Sequence, residues 1–166
     1  MRASQPIHSR RTPLRRLASR NAQQLFRSDA LLLGRVTYEG FKAAWPTMTD
    51  PDGFGDRVNR LPKYVASRTL RDPTWNATVI QGEVRDAVYR LKRENRGDIL
   101  MYGSAMLGQT LVEHDLIDEI RLMVHPVIVG RGQRLLADGV TTKMLRLVDT
   151  TPIGSGIVMM RYEPVR

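Results

Sequence analysis

The chain has 166 residues, about one domain's worth. At 42% hydrophobic and 26% charged residues it has an ordinary globular composition, which excludes a disordered or fibrous chain. It has no cysteine, so disulfides, thiolate catalysis and cysteine-ligated zinc or iron–sulfur sites are excluded, and no apolar run approaches the roughly 18 residues of a membrane helix. The net charge of +9 is concentrated in one place. Residues 1–27 hold seven arginines and no acid, whereas the other basic residues nearly balance the 17 acids. The basicity therefore belongs to an arm rather than to a domain surface. Such an arm could touch RNA or acidic lipid, and its composition is also that of a mitochondrial transit peptide. Without aromatics interleaved among its arginines to stack bases, it reads as a mobile, solvated terminus ahead of a domain spanning 28–166. No nucleic-acid or membrane partner is expected, and the location expected is the cytoplasm.

In chain order, a helix is expected over Arg20–Arg27. Ala30-Leu31-Leu32-Leu33-Gly34 reads as a buried strand closed by a turn, followed by a helix over Thr37–Ala44 that Pro46 stops. A loop over 46–56 and a short helix over Phe54–Arg60 lead to strands at Lys63–Ser67 and Ala77–Ile80. Val84, Val88 and Leu91 mark an amphipathic helix over Glu83–Arg93. A strand at Asp98–Tyr102 and a helix at Ser104–His114 follow. Three strands then come in succession, at Glu119–Val129, Lys143–Thr150 and Gly156–Glu163, with Gly154-Ser155-Gly156 as the hairpin turn between the last two. Alternating strands and helices giving way to a run of strands predict a three-layer αβα fold, a mixed sheet with antiparallel strands at its C-terminal end.

Ligands of open α/β sheets bind beyond the carboxyl ends of the strands. Three such ends carry phosphate-binding chemistry. Gly34-Arg35-Val36-Thr37 combines a glycine, two side-chain donors and a helix start. Ser67-Arg68-Thr69 sets two hydroxyls around an arginine, and Gly103-Ser104 opens another helix. Together they point to an extended ligand with several phosphates, such as a dinucleotide. No Rossmann or Walker motif accompanies them. The three histidines, His8, His114 and His125, have no metal-ligand spacing. Asp118-Glu119 reads as a solvated pair, and Trp45 and Trp75 as packing residues.

The segment Leu31-Leu32-Leu33-Gly34-Arg35-Val36-Thr37-Tyr38-Glu39 resembles the dihydrofolate-reductase-like family, in particular its branch with the reductase domain of the riboflavin-biosynthesis deaminase/reductase. So do Lys63–Leu70, Gly97–Ser104 and His125–Gly132, in the same order along the chain. The resemblance implies an NADPH-dependent reductase that passes hydride to a small heterocycle or a ribosylamino-pyrimidine. It implies that Gly34, Arg35, Val36 and Thr37 lie at the cofactor's phosphates. Ser67, Arg68 and Thr69 would then meet the adenosine 2′-phosphate, and Gly103, Ser104 and the turn Ala105-Met106-Leu107 would hold the pyrophosphate. It also implies a homodimer formed through the C-terminal strands.

One departure from the family stands out. Its members begin with a central strand and a Ser-Leu-Asp-Gly-like loop, and residues 1–27 contain no comparable run. A gap is therefore expected between the strands at 98–102 and 119–129, to be closed or filled by another chain. No residue presents itself as catalytic, and the alternative reading is a cofactor-binding scaffold without turnover.

Overall fold

The computed structural model describes residues 23–48, 51–136, 138, 141–154 and 156–166. The arm over 1–22, including the expected helix start at Arg20, and Ser155 of the hairpin turn lie outside the described residues. Residues 23–27 are helical and lead into β1 (Ser28–Gly34). There Ala30, Leu31, Leu32 and Leu33 are all buried, because the strand is covered on both faces. Leu31 and Leu33 point into one core, with Leu25, Tyr38, Val58, Leu61, Val65 and Leu100. Leu32 points into the other, with Val88, Leu107 and Leu111.

Helices α1 (Arg35–Ala44) and α2 (Phe54–Arg60), separated by a 3₁₀ turn at Trp45–Thr47, contribute to the first core. Helices α3 (Val84–Glu94) and α4 (Ala105–Glu113) contribute to the second. Between the two helix layers lie β1, β2 (Lys63–Ala66), β3 (Ala77–Val79) and β4 (Asp98–Met101), a parallel sheet in the order β3-β2-β1-β4. The expected three layers are present.

Strands β5 (Ile120–Val124), β6 (Leu145–Ile153) and β7 (Ile157–Pro164) form an antiparallel sheet of their own, ordered β5-β7-β6. Among the described residues no strand lies between β4 and β5, so each presents an unpaired edge. The discontinuity falls at the position of the strand not recognisable in residues 1–27.

The strand expected to reach Val129 ends at Val124. Pro126 has no N–H for a ladder, Val127 N–H turns back onto the His125 carbonyl at 2.8 Å, and Ile128 is 98% exposed. Conversely, β6 continues past Thr150 through Pro152 to Ile153. It is an edge strand, where a missing donor is tolerated.

At the entry of the parallel sheet, β1 bulges between Ser28 and Ala30. The bulge leaves Asp29 accepting the Gly97 N–H.

Candidate functional site

From β1 the chain moves to β2 and β3 on one side of the sheet, and β4 returns on the other side of β1. The connections that leave β1 and β4 pack on opposite faces, α1 in the first core and α4 in the second. A crevice opens where neighbouring parallel strands diverge in this way. Here it is flanked by Gly34–Thr37 on one side and Gly103–Leu107 on the other, so two of the three sequence-predicted segments form one locus.

Ser104 joins them. Its hydroxyl oxygen accepts the Gly34 N–H at 2.9 Å and lies 3.0 Å from the Thr37 hydroxyl and 3.3 Å from the Tyr102 carbonyl. Ser104 adopts the left-handed conformation, φ 59° and ψ 52°. That is uncommon for a residue with a side chain and occurs where surrounding contacts over-determine it. Gly103 before it also has a positive φ, 55°, a conformation that glycine takes without penalty.

Neither α1 nor α4 has a side-chain N-cap or an acidic residue in its first turn. The backbone N–H groups of Arg35, Val36 and Thr37, and those of Ala105, Met106 and Leu107, are thus the free donors of two helix N-termini. The positive ends of both helices converge on the crevice, an arrangement suited to an anion. The side chains differ in availability. Val36 and Met106 stand out at the mouth, 72% and 86% exposed, while Leu107 is buried in the second core and has only its backbone to offer. The Arg35 guanidinium reaches along the helix to both carboxylate oxygens of Glu39, each at 2.9 Å, so its charge is partly compensated. This i,i+4 pairing was readable in the sequence.

The third segment follows β2, the immediate neighbour of β1, so on the same edge of the sheet it lies one interstrand spacing, about 5 Å, from the end of β1 and about 10 Å from the end of β4. Ser67 accepts the N–H groups of Thr69 and Leu70 at 3.2 and 2.9 Å, a turn that shapes the loop. Arg68 and Thr69 are exposed. Ser67 and Arg68 line a cleft of about 670 Å³ beyond the ends of β2 and β3, which Arg71, Asp72, Thr78 and Gln81 complete. Arg71 was missed from sequence, although its place three residues after Arg68 in a strand-end loop was a usable signal. Tyr102, an aromatic side chain directly before Gly103-Ser104, is in sequence only the end of a strand.

Other candidates resolve into structure. His114 is the C-cap of α4. Asp118 and Glu119, expected to be solvated, are each held between two cations, Lys92 and Arg166 for the first, Arg121 and Arg161 for the second. Partial burial pushes both carboxyls up, but the hydrogen bonds and charges of these partners hold both below their usual range. Trp45 packs on Phe41 and Phe54. Trp75 covers the Lys63 ammonium at 4.1 Å and donates to the Asn59 side chain. Among the described residues, no three His, Cys, Asp or Glu side chains are grouped to hold a metal, and no helix is long and apolar enough to cross a membrane.

A parallel sheet with this crevice, followed by a run of antiparallel strands, is the architecture of the dihydrofolate-reductase-like reductases. Sequence and structure comparisons make this specific. The RibD C-terminal domain family matches residues 2–159, and the chain belongs to that family. The chain is 34% identical over 138 residues to the Bacillus subtilis protein YyaP, covering 81% of this chain and 73% of that one. Among solved structures it is similar to a putative riboflavin biosynthesis protein from Shewanella sp. PV-4 (TM-score 0.72, 18% identity, 87% of this chain and 78% of that one). It is also similar to a pyrimidine reductase-like protein from Corynebacterium diphtheriae (TM-score 0.65, 13% identity, 90% and 81%). RibD of Acinetobacter baumannii aligns with a TM-score of 0.62 and 16% identity over 90% of this chain and 51% of that one.

Proposed function

We propose that this protein is an NADPH-dependent cytoplasmic reductase of the pyrimidine reductase type, acting on a small heterocyclic or ribosylamino-pyrimidine substrate. The observation that carries the reading is the convergence of two uncapped, acid-free helix N-termini on one crevice, with an arginine-bearing cleft farther along the same sheet edge. A dinucleotide with a separate monophosphate ester needs two anion sites so arranged. The chain's residues fit those needs. The free N–H groups at the starts of α1 and α4 would hold the pyrophosphate. Arg68, with Ser67 and Thr69, would receive the 2′-phosphate, for which a permanently charged, forked donor is the best match. When bound, NADPH supplies the hydride; the protein's part is to orient it and to exclude water.

Titration with NADPH, followed by nicotinamide fluorescence, tests the reading. Saturable enhancement is expected, and its absence at millimolar cofactor overturns the proposal.

The open edges of β4 and β5 favour a second reading, in which cofactor binds without turnover. Saturable NADPH binding with no NADPH oxidation in the presence of pyrimidine substrates is its signature.

We also propose a homodimer. One face of the β5-β7-β6 sheet carries Val124, Leu145 and Leu147, all exposed, and such a face is a natural pairing surface. A monomeric mass in light scattering at micromolar concentration would contradict it.

A further inference from the structure

One wall of the arginine-bearing cleft is formed by Arg71, Asp72 and Pro73. They open a loop over 71–76 whose backbone is unusual. Asp72, Trp75 and Asn76 all have positive φ, 49°, 58° and 54°. For a side chain as bulky as that of tryptophan this is a genuine outlier. Such conformations persist only where surrounding contacts over-determine them.

The contacts that hold this loop come from the first core side. Asn76 donates from its side-chain amide to the Arg60 carbonyl, and its own carbonyl accepts the Lys63 N–H, each at 2.9 Å. Trp75 is fixed by Asn59 and by the Lys63 ammonium. Thr74 depends on Tyr38. The Tyr38 hydroxyl donates to the Thr74 carbonyl at 2.8 Å and accepts the Thr74 N–H at 3.0 Å, so both backbone polar groups of Thr74 end on one oxygen. The side chain that carries this oxygen is 1% exposed, with its ring 6.3 Å from that of Trp75 between centroids. Close packing on all sides leaves it one rotamer. Tyr38 is also the residue after Thr37 in α1, the helix whose free N–H groups face the crevice. A single rigid side chain thus runs from the start of α1 to the loop that walls the second anion site.

We propose that Tyr38 is a positioning residue for 2′-phosphate recognition: its hydroxyl clamps Thr74 and so fixes the wall bearing Arg71 at the spacing from α1 that a 2′-phosphorylated dinucleotide requires. The proposal rests on the reductase reading above and adds to it the residue that joins its two anion sites. Without the hydroxyl, Thr74 loses the partner of both its backbone groups and the left-handed residues beside it can relax. Arg71 and Pro73 then shift, while the N–H groups of α1 stay where they are. Recognition of a 2′-phosphate suffers and recognition of a 5′-phosphate does not.

The test uses the full chain and two probes, adenosine 2′,5′-bisphosphate and AMP, which differ only in the 2′-phosphate. Affinities are read calorimetrically for the wild type, Tyr38→Phe, Arg71→Ala, the double variant, and Val58→Ala, a cavity-forming change in the same core. The wild type should bind the bisphosphate about tenfold or more tightly than AMP, the value of a charge-assisted hydrogen bond. Tyr38→Phe keeps the buried ring. It should weaken the bisphosphate about three- to tenfold, the value of one neutral hydrogen bond, and change AMP by less than about twofold. Because Tyr38 acts through the wall bearing Arg71, the same change made in Arg71→Ala should cost the bisphosphate less than about twofold. Val58→Ala should lower the melting temperature and leave the ratio of the two affinities in place, which separates positioning from a general loss of stability. In the wild type the Thr74 amide should exchange slowly although Thr74 is an exposed residue. Equal losses for both probes in Tyr38→Phe, no loss for either, full additivity with Arg71→Ala, the same change of ratio in Val58→Ala, or an unprotected Thr74 amide overturns the proposal. So does a wild type that fails to distinguish the probes. If the probes behave as stated and NADPH gives no fluorescence enhancement, the reductase reading falls instead, and Tyr38 keeps its role at a site for 2′-phosphorylated adenosine.

Discussion

The Ser104 hydroxyl accepts the Gly34 N–H at 2.9 Å across 70 residues of chain, and this one contact ties together the two halves of the cofactor crevice. Ser104→Ala leaves that N–H without its partner and keeps a side chain in the left-handed conformation. A loss of about 1–2 kcal/mol is expected in denaturant unfolding. Ser104→Gly loses the same hydroxyl but accepts the positive φ, so it should be milder by about 0.5–1 kcal/mol. Equal losses for the two variants would show that the backbone at Ser104 is not strained.

Arg68 is the residue expected to distinguish NADPH from NADH. A charge-assisted hydrogen bond is worth about 1.5–3 kcal/mol, so Arg68→Ala should weaken NADPH about ten- to a hundredfold while NADH stays within twofold. Arg71→Ala, in the same cleft, should act in the same direction. Fluorescence titration of both cofactors checks this, and equal losses for both would remove Arg68 from 2′-phosphate recognition.

Lys63 gives the fold a pH dependence of its own. It is 1% exposed, its ammonium donates to the carbonyls of Asn59 and Leu61, and burial lowers it from 10.5 to about 8. Below pH 8 the folded and unfolded chains both hold this proton, and the desolvation penalty is fully present. Between pH 8 and 10.5 the unfolded chain holds it and the folded chain does not, so Lys63 makes stability rise with pH. The rise should amount to about 2–3 kcal/mol over the full window. Above pH 10 Tyr102 opposes it, because the folded chain then keeps the phenolic proton that the unfolded chain loses. Urea midpoints at pH 7.5 and 9.5 should therefore differ in the wild type and converge in Lys63→Met.

Gly97 is required by space rather than by conformation. A Cβ there would lie 2.9 Å from both the Arg27 carbonyl oxygen and the Asp29 carboxyl group. The carbonyl belongs to the chain entering β1 and cannot retreat without moving the strand. Gly97→Ala should cost about 1–3 kcal/mol. A melting temperature equal to that of the wild type would show that the bulge at Ser28–Ala30 yields freely.

The sequence was most legible where a short apolar run lay between turn residues. The expected strands Ala30–Gly34 and Asp98–Tyr102 fell within a residue or two of the observed Ser28–Gly34 and Asp98–Met101, because burial leaves a continuous apolar signature. It was least legible where position depends on partners. β5 stops at Val124 although Val127, Ile128 and Val129 are good strand formers, since Pro126 interrupts the ladder and among the described residues no strand is placed to pair with them. The three strand-end segments could be picked out one by one. The contact that joins Gly34 to Ser104 could not, because it depends on β1 and β4 being neighbours, and neither strand announces its neighbour.

The division into two sheets also bears on how the molecule opens. All four parallel strands come from Ser28–Met101 and all three antiparallel strands from Ile120–Pro164. No backbone ladder crosses between the two groups among the described residues. Each sheet can therefore breathe without breaking the other's hydrogen bonds, and native-state amide exchange should resolve two cooperative units. The slower set should belong to β1, β2 and β4, where both faces are covered. The faster set should belong to β5, β6 and β7, so of the two sheets the C-terminal one is the first that a protease or a denaturant opens.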